Sequence, residues 1–317
     1  CKAHAAAFAL PTYQSAWLKT HYPAAFLAGV LTHDPGMYPK RLIVDEARQM
    51  GITIAPLDVN VSDSAYRVED HGNAIRIALS TVSGISDGEV QSIIAGRPYI
   101  DLNDFVRRSG CSTPVTESLI LTGSFDSLHV DVNRRDLLLH FSDLQKSPSA
   151  AVSGAQMNLG FEPPALISSG LPAMTAAESV KYEVDRLGID MSRHMIEFYG
   201  DFLNAIGAVR SSDLLKQRSQ SSVLVAGIKV AMQTPPVRSG KRVIFLTLDD
   251  GYGLSDSTFF TDVQGEYANV LYSTSLLLVR GITRRTGARG ISIRATGAWD
   301  LRAAYESWSA KQSTLAI

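Results

Sequence analysis

The sequence predicts a multidomain α+β chain, helical at its start and closing on a small five-stranded barrel. Three observations predict this. Apolar residues recur at helical spacing through residues 1–57, and an extended hairpin pattern followed by short helices fills 58–145. Beyond a stretch rich in Ser, Ala, Gly and Pro, four runs of β-branched and large apolar residues, with Asp256 to Phe260 as a further strand, alternate with Gly, Pro and Asp turn signals. At 317 residues the chain is long enough for about two or three domains with sizeable cores.

The first 57 residues read as helices over Ala3 to Phe8, Tyr13 to Lys19, Pro23 to Leu31 and Pro39 to Met50. Pro23 suits a first turn, and Gly51 stops the last helix. Tyr13, Trp17 and Leu18 are expected to form a buried face, with the backbone broken at Leu10-Pro11-Thr12, because proline costs about 3 kcal/mol inside a helix. His4 and His21 have no Cys or carboxylate at ligand spacing and read as structural histidines.

Between Tyr66 to Glu69 and Ala74 to Leu79 lies Asp70-His71-Gly72-Asn73, expected to be a hairpin turn whose Gly-Asn pair accepts positive φ. Val82-Ser83-Gly84-Ile85-Ser86 then has the form of a helix-hairpin-helix turn, with Val90, Ile93 and Ile94 on one face of the following helix. A glycine there lets backbone N–H groups at a helix N-terminus approach a phosphate, so residues 82–86 are the expected duplex DNA contact. The same triplet could simply join two packed helices. A second hairpin-like helical unit fits residues 97–128, making 58–145 a DNA-binding domain in this reading.

Residues 146–174 read as a linker. Inside it, Gln156-Met157-Asn158-Leu159-Gly160-Phe161 fits the Gln-x-x-Leu-x-Phe form of sliding-clamp peptides, in which Gln156, Leu159 and Phe161 would be the anchors. A loop whose Met, Leu and Phe pack back on the domain is the favoured alternative. A helical connector follows over 175–221, opened by a capping-box pattern at Thr175-Ala176-Ala177-Glu178.

Five strands and one helix are expected over 222–302, in the order strand, strand, strand, helix, strand, strand of an OB-fold, with 303–317 as a C-terminal tail. The loop between strands one and two, with the residues just after it, carries Arg238, Lys241 and Arg242, and that between strands four and five carries Arg284, Arg285 and Arg289. Cations in those loops flank the oligonucleotide-binding face of such a barrel and can pair phosphates of single-stranded DNA. Phe245 and Tyr252 are candidate stacking surfaces. A bare barrel with solvated surface arginines is the alternative.

Net charge is −1, so basicity is local and a histone-like partner is excluded. Cys1 and Cys111, the two cysteines, support neither a disulfide framework nor a zinc site. No stretch approaches the roughly 18 apolar residues of a membrane span and no signal-peptide pattern opens the chain, so a cytoplasmic setting is expected. Asp249-Asp250 is the one adjacent pair of aspartates; at a hairpin turn it reads as structural rather than metal-binding.

Lys2 to Ala9, Tyr13 to Lys19 and His21 to Phe26 resemble the end of the fingers region of bacterial C-family DNA polymerases, the polymerase III alpha-subunit type. Val82 to Ile85 and Leu119 to Asp126 resemble that family's helix-hairpin-helix region, and the barrel its C-terminal OB domain. Gln233 to Gly240, Phe245 to Asp250 and Val279 to Gly287 are most similar to its error-prone, damage-inducible ImuC-type branch. Pro11 and Cys1 depart from the family pattern. The resemblance implies a piece of a polymerase for translesion synthesis in a mutasome. Its catalytic carboxylates and their Mg²⁺ ions would belong to a palm domain; none is matched here, and this chain alone is expected to bind DNA without polymerising it. A non-catalytic DNA- or protein-binding module descended from such a polymerase is the alternative.

Overall fold

The computed structural model describes residues 2–34, 36, 38–146, 165–235, 242–288 and 290–315, with backbone alone at 313–315. The chain divides into two compact units, Cys1–Arg193 and His194–Ile317. The division falls inside the stretch expected as a connector. Its first part contributes Val180, Leu187, Ile189 and Met191 to buried positions of the first unit, and Phe202 and Leu214 are buried in the second.

The first unit opens with helices α1 (Lys2–His21), α2 (Pro23–His33) and α3 (Lys40–Gln49). Helix α1 runs unbroken through Pro11 and buries none of its residues. Both findings correct the sequence reading. Every residue around Pro11 is exposed, so the Ala7 carbonyl that proline leaves without an amide is open to water, and the helix continues. Periodicity shows which face could be buried, but not whether the chain supplies something to cover it. Tyr13 is 67% exposed and Trp17 43%, and the Trp17 ring packs on those of His21 and Tyr22 at 4.5 and 5.8 Å.

Strands β1 (Thr53–Ala55), β2 (Arg67–Glu69) and β3 (Ala74–Arg76) form a sheet ordered β1-β3-β2, parallel between β1 and β3 and antiparallel between β2 and β3. The β2–β3 turn takes positive φ at Asp70, His71 and Gly72, while Asn73 is right-handed at φ −97°. The left-handed residues thus precede the Gly-Asn pair, and only its glycine shares in them. Helices α4 (Asp87–Ala95), α5 (Leu102–Ser109), α6 (Thr113–Leu121), α7 (Arg134–Lys146) and α8 (Ala176–Leu187) complete the unit. One continuous core joins Leu27, Leu31 and Val44 to Ile75, Ile77, Ile93, Phe105, Phe125 and Leu187. Phe105 meets Tyr99 and Phe125 edge-on, each at 4.9 Å.

In the second unit, short helices α9 (Gly200–Ala205) and α10 (Ser211–Leu214) precede a closed barrel. Its strands are β4 (Ser222–Gln233), β5 (Ile244–Asp249), β6 (Leu254–Phe259), β7 (Leu276–Arg285) and β8 (Ile291–Asp300), with helix α11 (Thr261–Ser273) between β6 and β7. The order around the barrel is β4-β5-β6-β8-β7, closed by β4 against β7 and by a parallel β6–β8 contact. This is the five-stranded OB-like barrel expected. Val223, Val225, Leu246, Phe259, Leu277, Val279 and Ile293 fill it, and α11 adds Leu271. At the β7–β8 bulge a Cβ on Gly281 would lie 2.4 Å from the Arg294 carbonyl oxygen, so only glycine fits there. The expected tail is helix α12 (Leu301–Leu315), whose Tyr305 and Trp308 pack on Phe202 at 5.9 and 5.5 Å. Aromatic residues at i and i+3 give that helix a face, a pattern the sequence reading passed over.

Candidate nucleic-acid interface

In the first unit the hairpin turn follows a 3₁₀ turn at Leu79–Thr81. Leu79 and Val82 are buried, Ile85 packs on the core, and Ser83, Gly84 and Ser86 are exposed. Gly84 has φ +81°, with nothing within 4 Å of the place where a Cβ would sit. Positive φ and open approach are what a backbone contact to phosphate requires. Four of the five amides are nevertheless engaged internally. Val82 N–H donates to Leu79 O at 3.0 Å, Ser83 N–H to Arg186 O at 2.8 Å, Ile85 N–H to Val82 O at 3.2 Å, and Ser86 N–H to Glu89 Oε2 at 2.9 Å. The open approach is at Gly84 and the first turn of α4.

Glu89 organises this end of the domain. Its Oε2 accepts from Ser86 N–H and Oγ, completing a capping box on α4, and its Oε1 accepts from Ser112 N–H at 2.9 Å and Ser112 Oγ at 2.7 Å, at the N-cap of α6. The Ser112 and Ser86 amides hold the Glu89 carboxyl at about 2, far below its ordinary value. One carboxylate thereby fixes the starts of both helices. Nearby arginines are also structural: Arg108 reaches the Pro98 carbonyl at 2.6 Å, lies 4.8 Å over the Tyr99 ring and pairs with Asp104, whose carboxyl it holds at about 2. Arg107 contacts Asp104 at 3.1 Å while its side chain stays 73% exposed.

On the barrel, Phe245 points outward, 46% exposed, opposite Thr258 on β6. Arg284 and Arg285 lie on β7, which runs further than expected, so the β7–β8 connection narrows to residues 286–290. Arg284 faces solvent. The Arg285 guanidinium is turned onto the Leu215 and Gln217 carbonyls and ties the strand to the segment after α10. Arg242 is exposed, and its carbonyl accepts from Gln264 at 2.7 Å. The Tyr252 ring is covered by Arg210 at 4.3 Å. Arg238, Lys241 and Arg289, and the clamp-like Gln156, Leu159 and Phe161, lie outside the described residues.

Arg284 opens onto a cavity of about 500 Å³ on the β6–β8–β7 side of the barrel, lined also by Thr258, Phe260, Asp262, Ser292, Arg294 and Thr296. Arg294 is a cation the sequence reading missed, although it stands on the fifth strand between inward Ile293 and Ala295. Strict alternation was the signal that could have found it. Arg294 lies 5.5 Å over the Phe260 ring and 3.1 Å from Asp262. The groove therefore offers two guanidinium groups, hydroxyls and a half-exposed phenyl face, the equipment for backbone phosphates and a stacked base. Asp249 and Asp250 are buried: Asp250 accepts from Ser211 N–H, Ser211 Oγ and Tyr252 N–H, and Asp249 from Gly251 N–H. Both carboxylates are thus tied into the turn, and Asp249 Oδ2 lies 3.6 Å from His194 Nε2.

Residues 51–137 match a family model described as a helix-hairpin-helix motif. An error-prone DNA polymerase of Symbiobacterium thermophilum is 32% identical over 340 residues, covering 92% of this chain and 31% of the relative. One of Bdellovibrio bacteriovorus is 30% identical, covering 90% and 28%, and the DNA polymerase III subunit alpha of Vibrio cholerae is 29% identical, covering 97% and 28%. The chain spans about three-tenths of the length of these relatives. Among solved structures, the mitochondrial single-stranded DNA binding protein Rim1 of S. cerevisiae covers 26% of this chain at 12% identity and a TM-score of 0.22, a likeness too slight to bear on function.

Proposed function

This chain is homologous over some nine-tenths of its length to the bacterial polymerases named error-prone DNA polymerase and DNA polymerase III subunit alpha, and from that premise we propose that it is the DNA-gripping part of an error-prone member. The hairpin unit would hold duplex behind the growing end, and the barrel would hold single-stranded template. The observation that carries the reading is the coincidence of that homology with a cationic, aromatic groove on an OB-like barrel. Catalysis would rest on palm carboxylates and Mg²⁺ outside this stretch, since Asp249 and Asp250 are committed to a turn. Damage-induced translesion synthesis is the cellular role proposed, with mutasome proteins and a sliding clamp as further partners in the cytoplasm. No helix among the described residues is long and apolar enough to cross a membrane. Titration of the whole chain against labelled duplex and labelled single strand tests the proposal: both should bind, with affinity falling as salt rises, and failure to bind either would overturn it.

A further inference from the structure

Resting on the reading of the barrel as a single-strand site, we infer that Asp262 is a built-in competitor for the phosphate that Arg294 would hold. Arg294 on β8 pairs across the ladder with Ile282, and Arg284, two residues along β7, pairs with Ser292. The two arginines are thus diagonal neighbours on one outward face, about 7–8 Å apart at the backbone, a spacing that successive phosphates of an extended strand can match. Arg284 faces the cavity and solvent. Arg294 is drawn aside: its Nη2 donates to Asp262 Oδ2 at 3.1 Å, and its guanidinium leans over Phe260 at 5.5 Å.

Asp262 stands in the first turn of α11, where the helix dipole favours its anion. It remains 57% exposed, so it can return to water when a phosphate takes its place at the arginine. The same exchange uncovers the Phe260 ring, now 39% exposed, for a base. The groove would then exist in two states: a closed one in which the protein's own carboxylate occupies Arg294, and an open one in which a phosphodiester does. Strands able to set a phosphate on Arg294 and a base on Phe260 together would be selected over small anions, which gain only the first contact.

The test is anisotropy of a fluorescent oligothymidylate with the full chain at low salt, using Asp262→Asn, Arg294→Ala and the double variant, with Asp262→Ser as a second neutral replacement. Neutralising Asp262 should tighten binding roughly two- to fivefold, the factor an exposed ion pair is worth. Arg294→Ala should weaken it, and in the Arg294→Ala background the gain from Asp262→Asn should largely vanish. If both Asp262 variants leave affinity unchanged or lower it, Asp262 is not a competitor. If the gain persists undiminished without Arg294, Asp262 acts only through the general field, and the inference falls. Wild-type chain that does not bind the oligonucleotide, or whose binding ignores both Arg284→Ala and Arg294→Ala, would instead overturn the single-strand reading itself.

Discussion

Removing the Glu89 carboxylate should loosen the hairpin domain by a measurable amount. The carboxylate accepts four hydrogen bonds, two from Ser86 and two from Ser112, and so caps α4 and α6 together. The bond from the residue-89 amide to Ser86 Oγ survives the substitution, so what is lost at α4 is the pair of Ser86 bonds to the carboxylate, worth about 1 kcal/mol. Hydrogen bonds to a charged acceptor at the second helix add a comparable amount, discounted because Ser86 and Ser112 are exposed. The sum is about 2 kcal/mol for Glu89→Ala, which for a unit of this size lowers the melting temperature by roughly 4–8 °C. Scanning calorimetry of the full chain at neutral pH measures it. The sign with pH is fixed by linkage. The folded carboxyl, held near 2, lies below its ordinary value of 4.5, so the stabilisation is complete above about 4.5 and fades as pH falls towards 2. Wild type and Glu89→Ala should therefore converge in acid. A shift under about 1 °C at neutral pH, or one that persists undiminished near pH 2, would refute the double-cap argument.

Three further outcomes follow from the same geometry. Replacing Arg284 and Arg285 together with Ala should shallow the log-log salt dependence of single-strand binding by roughly 0.7, one phosphate's worth, because Arg285 is engaged by the Leu215 and Gln217 carbonyls; a loss near 1.4 would show that both arginines reach phosphates. His129 and His140 are held neutral by burial, below the ordinary histidine range, and Leu102 N–H donates to His129 Nε2, so stability should be full above about pH 6.5 and decline as pH falls below it. His140→Asn should flatten that decline in a chemical-denaturation series run against pH, and an unaltered profile would contradict the assignment. Gly84→Val places a β-branched residue at φ +81°, which should cost about 1–2 kcal/mol of stability and weaken duplex binding, whereas Ser83→Ala should leave duplex affinity unchanged in an electrophoretic titration.

The barrel was legible because four of its five strands carry an apolar run and Gly, Pro and Asp mark the turns between strands. Five strands and one helix were expected over 222–302, and the barrel runs from Ser222 to Asp300 in that order. The role of each arginine was not legible. Arg284 and Arg285 are adjacent and chemically identical, and what separates them is that alternate positions on β7 face opposite ways, one towards the groove and the other towards carbonyls some 70 residues earlier in the chain. Arg294 escaped notice because a cation within a strand looks like an ordinary outward residue until the fold brings it beside Arg284. The hairpin turn was found from the glycine alone, yet the bond from Ser83 N–H to Arg186 O joins residues far apart in sequence, and no local pattern could foretell it. Helix α1 shows the opposite failure: its apolar residues promised burial, and propensity built the helix without a partner to cover it.

The most direct test of the central claim is the salt dependence of binding by the whole chain to a short single-stranded oligonucleotide, compared between wild type and Arg284→Ala with Arg294→Ala. A DNA-gripping barrel predicts tight binding at low salt, a linear fall of log affinity with log salt, and a slope shallower by roughly 1.4 in the double variant, uniformly across sequences, because phosphate contacts read no bases. A folded chain that does not bind, or a slope the double variant leaves untouched, would contradict it.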